Sequence, residues 1–356
     1  MSTGVATSAR AICVVRDPIL RRTLRRSLCG GGGLVEFRES LEGALPPDSI
    51  LFVHHDSAPG RELAALTRGM GERGRVVVLG GSLDDRELVA MLRERALDHV
   101  IADSGAPDEH ELAVTSAKLH SGDIFGLEKY LAWGVAVTEI EVSGYDEKVH
   151  AIDELGRAAD SLGARRRLVT RIQSTADELL MNALYDAPAA GAASAARSAR
   201  GTGRTPAVAP EPAGSPPNGN AHGHGSASAN GGASPAGNAN ASGTANADRS
   251  AAAPTALLRY ACDGRHMAVS VLDRFGSLDK REVLDAVLRA RAELGRPRAQ
   301  GGAGLGLYFV LSSVTRFIVN LQPGRQTEVV CLFDLRERGR DAAGWARSLH
   351  VFTAEE

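Results

Sequence analysis

Four short apolar runs near the start of the chain, each parted from the next by a helical pattern, restrict its fold most. "AICVV" (11–15), "ILFVHH" (50–55), "RVVVLG" (75–80) and "DHVIAD" (98–103) are apolar on consecutive positions, as strands buried on both faces are. "ILRRTLRRSL" (19–28), "GRELAALTRGM" (60–70) and "DRELVAMLRERA" (85–96) carry apolar residues at helical spacing. Parallel strands cannot be joined by a tight turn and need a crossover, usually a helix. The pattern therefore predicts an α/β, doubly wound parallel sheet over 10–122, with "LVEF" (34–37) as a further strand after "CGGGG" (29–33).

A second constraint is the stretch 187–254, made almost wholly of Ala, Gly, Ser, Pro, Asn and Thr. Such a composition cannot bury enough surface to offset its ordering entropy, so a disordered low-complexity insertion is expected. The "HGH" at 222–224 is at most a weak metal binder. A long insertion costs little, since each doubling of loop length adds only about 0.6 kcal/mol. Its two flanks can belong to one domain.

Of 356 residues, 43% are apolar, enough for about two ordinary domains. The net charge of −2 gives no nucleic-acid footprint, and the arginines of 19–28 read as a solvated helix face. The four cysteines have no metal-ligand spacing, and Cys13, Cys262 and Cys331 lie in strand-like runs, as expected of a reduced compartment. The N-terminus lacks a signal-peptide core, and no apolar run approaches the roughly 18 residues of a membrane span. A cytoplasmic protein with neither membrane nor nucleic-acid partner is expected.

Beyond residue 122 the pattern changes. "GVAVTEIEVSG" (134–144) alternates like a half-exposed strand, and helices follow over 146–163 and 164–187. After the insertion, "ALLRYACDGRHMAVSVLD" (256–273) reads as a hairpin turning at Asp263–Gly264. A helix over 279–295, "GGAGLGLYFVLSSVTRF" (301–317), strands at 318–321 and 327–335, and a weaker strand at 348–352 complete the chain.

Three stretches carry chemistry. In "ADELLMNALYDAP" (176–188), Glu178 and Asn182 stand four residues apart, on one helix face roughly 5–6 Å apart at Cβ. In "VSVLDRFGSL" (269–278) a strand delivers Asp273 to its end, before a turn at Gly276. In "GGAGLGL" (301–307), Gly302, Gly304 and Gly306 lead straight into a helix. An amide oxygen suits Mg²⁺, and a neighbouring carboxylate can orient or deprotonate a nucleophile. A strand-end aspartate can accept from an exocyclic amine, and backbone N–H groups before a helix can close on phosphates. Singly, each stretch reads as readily as a surface face or a helix cap.

In this order the three resemble the N box and the two glycine boxes of the GHKL (Bergerat-fold) ATPases, which include histidine kinases and anti-sigma-factor serine kinases. "GRQTEVVCLF" (324–333) is similar to that family's closing segment. The likeness covers 130–337, interrupted by the insertion, and implies an α+β domain with helices on a mixed sheet. It implies Mg²⁺ and ATP as cofactors, with Glu178 catalytic and Asn182 the Mg²⁺ ligand. It further implies that Asp273 meets adenine, with Gly276, Gly302, Gly304, Gly306 and Thr327 completing the ATP site. The strand–helix–N-box lead-in resembles the anti-sigma serine-kinase type. Phe275 departs from the family's first glycine position, and Tyr185 stands where many kinases are basic.

The strand–helix rhythm of 10–122 resembles a response-regulator receiver, though a degenerate one. Only Asp17 follows the first strand, and no lysine ends "VIADS". By that likeness His55 or Asp56 lies near the phosphoacceptor position, with Asp56 the candidate. Residues 338–356 are expected to be a C-terminal tail. The whole implies an ATP-dependent protein kinase or ATPase of signalling, acting on a regulatory protein partner by Ser/Thr phosphorylation or nucleotide-dependent sequestration. A homodimer is an open option. The alternatives are a histidine kinase using His150 or His120, and a non-catalytic nucleotide-binding scaffold.

Overall fold

Eleven strands share one mixed sheet in the computed structural model. It describes residues 10–29, 34–46, 48–70, 75–80, 86–101, 107–187, 255–293, 305–336 and 346–354. The low-complexity insertion beyond residue 187, and Gly302 and Gly304, lie outside the described residues.

The first part alternates as its sequence predicts: β1 (Arg10–Val14), α1 (Pro18–Cys29), β2 (Leu34–Arg38), β3 (Ile50–His54), α2 (Gly60–Gly69), β4 (Val76–Leu79), α3 (Arg86–Arg93) and β5 (His99–Ile101). These five strands are all parallel, in the order β2-β1-β3-β4-β5. Strands β3 and β4 are buried over nearly their whole length, which is why they read as unbroken apolar runs.

Next come α4 (Glu109–Ser121), β6 (Thr138–Val142), α5 (Tyr145–Ser161) and α6 (Arg166–Met181), the last ending in a π-helical turn at Asn182–Asp186. The hairpin β7 (Ala256–Cys262) and β8 (His266–Asp273), α7 (Lys280–Glu293), α8 (Leu305–Ser313), β9 (Arg316–Gln322), β10 (Gln326–Asp334) and β11 (Ser348–Thr353) finish the described chain. The order here is β11-β9-β10-β8-β7-β6, antiparallel from β9 onward. Edge strand β6 presents Glu139 and Glu141, charges that discourage pairing with another strand.

Strand β11, the weak candidate at 348–352, joins the two parts: it lies antiparallel beside β5 and parallel beside β9. Among the described residues the fold is thus α/β, with one mixed sheet rather than two. Helices α2, α3, α5, α6, α7 and α8 contribute to the apolar layer on one face, and α1 and α4 to that on the other.

Helix α4 has no counterpart in the sequence reading, because its apolar residues form no clean stripe and it buries Glu111 and Lys118. Their partners come from distant strands. Lys118 Nζ donates to Tyr130 Oη (2.6 Å) and Asn320 Oδ1 (2.8 Å), above the Phe352 ring. Glu111 is 3.0 Å from both Arg316 Nε and His350 Nε2. The strand joining the two parts is therefore set in a buried polar network.

Candidate functional site

Strand register places the strand ends on two opposite edges of the sheet. Ser348, which starts β11, pairs with Ile101, which ends β5, and with Arg316, which starts β9. The edge where β1, β3, β4 and β5 end is therefore the edge where β9 begins. The opposite edge carries one continuous row: Val142 pairs with Ala256, Ala256 with Asp273, Asp273 with Thr327, and Thr327 with Leu321.

Asp273 closes β8 in this row and is only 7% exposed. One of its oxygens accepts from the backbone N–H of Phe275 (2.9 Å) and of Gly276 (3.1 Å), fixing the turn after the strand. Burial pushes its carboxyl above the ordinary aspartate value, although those two N–H groups pull it down. The Thr327 hydroxyl, buried beside it, also lowers the value yet makes no hydrogen bond of good geometry.

Gly276 has a packing reason for being glycine. Its φ is +55°, and a Cβ there would collide with the backbone of Gln322 and Arg325 in the β9–β10 turn. Its carbonyl accepts from Gly324 N–H at 2.8 Å. The turn after β8 and the β9–β10 turn are thus pressed together at the backbone, a fit only glycine allows.

Helix α6 returns to the same edge. Helix α5 starts three residues after Val142, and Lys148 in its first turns donates to Asp177 Oδ1 at 2.5 Å and reaches Met181 Sδ at 3.2 Å. Since α6 packs antiparallel to α5, its last turn, with Glu178, lies at the edge where β6 and β8 end. Glu178 is half-buried; burial, with Asp177 and Asp186 nearby, pushes its carboxyl above the ordinary glutamate value. Asn182 is exposed and opens the π-helical turn, a local widening often found where a helix serves a site. Helix α8 runs directly into β9, which starts at the far edge, so Gly306 in its first turn faces back toward the Asp273 edge.

Glu178, Asn182, Asp273, Gly276 and Thr327 therefore come to one edge, toward which the N-terminus of α8 is directed. Sequence reasoning missed Lys148, which is buried beside Glu178's neighbour and opposes the rise in Glu178's pKa. Nothing in "DEKVHA" separates it from an ordinary surface lysine. Also missed is the docking of α7: Arg95 is bidentate on Asp285 (2.9 and 2.9 Å), and Lys280 pairs with the buried Asp98. A cavity of about 400 Å³ lies beside that contact, lined by Lys280, Arg281, Leu321 and Pro323.

Asp56 stands at the opposite edge, beyond β3, with its side chain 74% exposed. Asp17 serves as a cap, its carboxylate accepting from Ile19 N–H at 2.7 Å at the start of α1. His150 is exposed on α5, and His120 Nδ1 is 2.8 Å from the Ser116 carbonyl oxygen of its own helix. No family model matches the chain, and no curated protein matches it. Among the described residues, no helix is long and apolar enough to cross a membrane.

Proposed function

We propose that the Asp273 edge binds Mg²⁺·ATP and that the protein is a cytoplasmic signalling protein of the GHKL type. It regulates a protein partner by Ser/Thr phosphorylation or by nucleotide-dependent sequestration. The observation that carries this reading is the row itself: Asp273 and Thr327 sit opposite each other, and the α6 turn with Glu178 and Asn182 returns to their edge. Glu178 and Asn182, far from Asp273 in the chain, come to the same edge.

In this reading the buried Asp273 carboxylate accepts from the adenine amine, and the Thr327 hydroxyl supports it. Asn182 offers its amide oxygen to Mg²⁺, which favours oxygen ligands alongside phosphates. Glu178, its carboxyl raised, orients or deprotonates the acceptor hydroxyl. Gly306 brings the N-terminus of α8 to the phosphates. The strand order β2-β1-β3-β4-β5, a doubly wound order, supports a receiver-like half that docks the partner.

Capture of partners by the full chain with and without ATP, followed by phosphosite mapping, tests the reading. Acid-stable phosphate on a partner serine or threonine, or ATP-dependent capture, is the expected result. Acid-labile phosphate on the chain itself, lost in His150→Gln or His120→Gln, would make it a histidine kinase instead.

A further inference from the structure

The far edge carries a cluster that the nucleotide reading does not use. His54 ends β3, and His55 and Asp56 open the 3₁₀ turn that follows. One ligand atom from each of the three lies within 4.8 Å of the others. An Asp56 oxygen is 2.8 Å from His55 Nε2, and its other oxygen is 3.8 Å from His54 Nδ1. The two imidazole centroids are 4.7 Å apart.

Two further features make this more than a chance grouping. Gly80, at the end of β4 with φ +76°, leaves room beneath both rings: a Cβ there would come within 2.7 Å of His54 Nε2 and 2.8 Å of His55 Nδ1. His55 Nδ1 is buried and has no hydrogen-bond partner among the described residues, while His54 Nδ1 accepts from the Asp56 backbone N–H at 3.4 Å, a long bond that a metal ion would replace. The cluster also follows β3 at its carboxyl end, beside β1, where the strand order reverses from β2-β1 to β3-β4-β5. Doubly wound sheets place their ligands at such a crevice.

The geometry points to a divalent transition-metal site formed by His54, His55 and Asp56. Tetrahedral bonds of 2.0–2.2 Å put ligand atoms about 3.4 Å apart, so the widest gap of 4.8 Å must close by about 1.4 Å and the 2.8 Å Asp56–His55 contact must open by about 0.6 Å. Two imidazoles and one carboxylate suit Zn²⁺, Co²⁺ or Ni²⁺, whereas Mg²⁺ prefers an all-oxygen shell. Three protein ligands leave a fourth position, and the exposed face of Asp56 leaves that position open to water or to a partner's side chain. The site is independent of the nucleotide reading, because it lies at the opposite edge.

Titration of the metal-free full chain with Co²⁺ alone, read by visible absorption, tests it. The expected result is one tightly bound Co²⁺ with the intense bands of tetrahedral coordination, displaced by Zn²⁺ but not by millimolar Mg²⁺. His54→Gln and His55→Gln should each weaken binding by about 10–100-fold or more. Asp56→Asn, a change at an exposed side chain, should weaken it as well, with the far-UV circular dichroism of wild type retained. Absence of binding, displacement by Mg²⁺, or unchanged binding in all three variants would overturn the site; the last would move the metal to other histidines.

Discussion

The two edges of this sheet treat their carboxylates in opposite ways. Asp273 is 7% exposed, capped by two backbone N–H groups, and pushed toward its neutral form. Asp56 is open to solvent and flanked by two imidazoles. A buried carboxylate whose desolvation outweighs its hydrogen bonds is placed to recognise a hydrogen-bonding group, while an exposed one beside two imidazoles is placed to hold a cation. The two environments arise because strand direction reverses between β5 and β11, which brings different strand ends to each edge.

Four measurements break or sharpen this contrast, taken from the largest expected effect. Glu178→Gln removes the proposed base while keeping the side chain's size, so ATP turnover should fall by about 10²–10⁴-fold with nucleotide affinity retained. Turnover equal to wild type, followed by phosphate release, would remove Glu178 from the chemistry and weaken the case for the Asp273 edge.

The contrast also requires the two edges to belong to one cooperative sheet. Burial alone would raise the Glu111 carboxyl, but Arg316 and His350 outweigh it and hold it below the ordinary value. Glu111→Ala removes that buried partner and should cost about 3–5 kcal/mol in urea unfolding. A loss near zero, or destabilisation of only one part, would mean that the seam at β11 does not tie the sheet together.

Asp98 gives a pH signature at the Asp273 edge. Burial pushes its carboxyl up to about 6, despite Lys280. A folded value above the unfolded one means that the folded state holds the extra proton between about pH 4 and 6. This carboxyl therefore costs stability at neutral pH and ceases to do so as pH falls. Between pH 7 and pH 4, wild type should gain about 2 kcal/mol relative to Asp98→Asn. Equal pH dependence in the two proteins would mean that Lys280 keeps Asp98 charged throughout.

Much of this was legible in the sequence, for physical reasons. The parallel strands are buried on both faces, so their apolar runs announce them, and the Asp263–Gly264 turn marks the β7–β8 hairpin. Asp273, Glu178 and Asn182 could be picked out because strand ends and helix faces follow from periodicity. Helix α4 could not be, because Glu111 and Lys118 break its stripe and their partners lie on β9, β11 and the turn at Tyr130. The bridging place of β11 was equally hidden, since strand neighbours across some 250 positions leave no local pattern. Lys148 and the His54–His55–Asp56 cluster needed three-dimensional placement before their neighbours gave them meaning.

The central claim is that Asp273 anchors a nucleotide, and calorimetric titration of the full chain with Mg²⁺·ATP tests it most directly. Asparagine at 273 keeps an oxygen for the Phe275 and Gly276 N–H groups but turns a donor toward the adenine amine. Wild type should bind with a Kd between micromolar and millimolar, and Asp273→Asn should bind at least about tenfold more weakly, a loss of roughly 1.4 kcal/mol or more. No binding by wild type at millimolar ATP, or equal binding by the variant, would contradict the account.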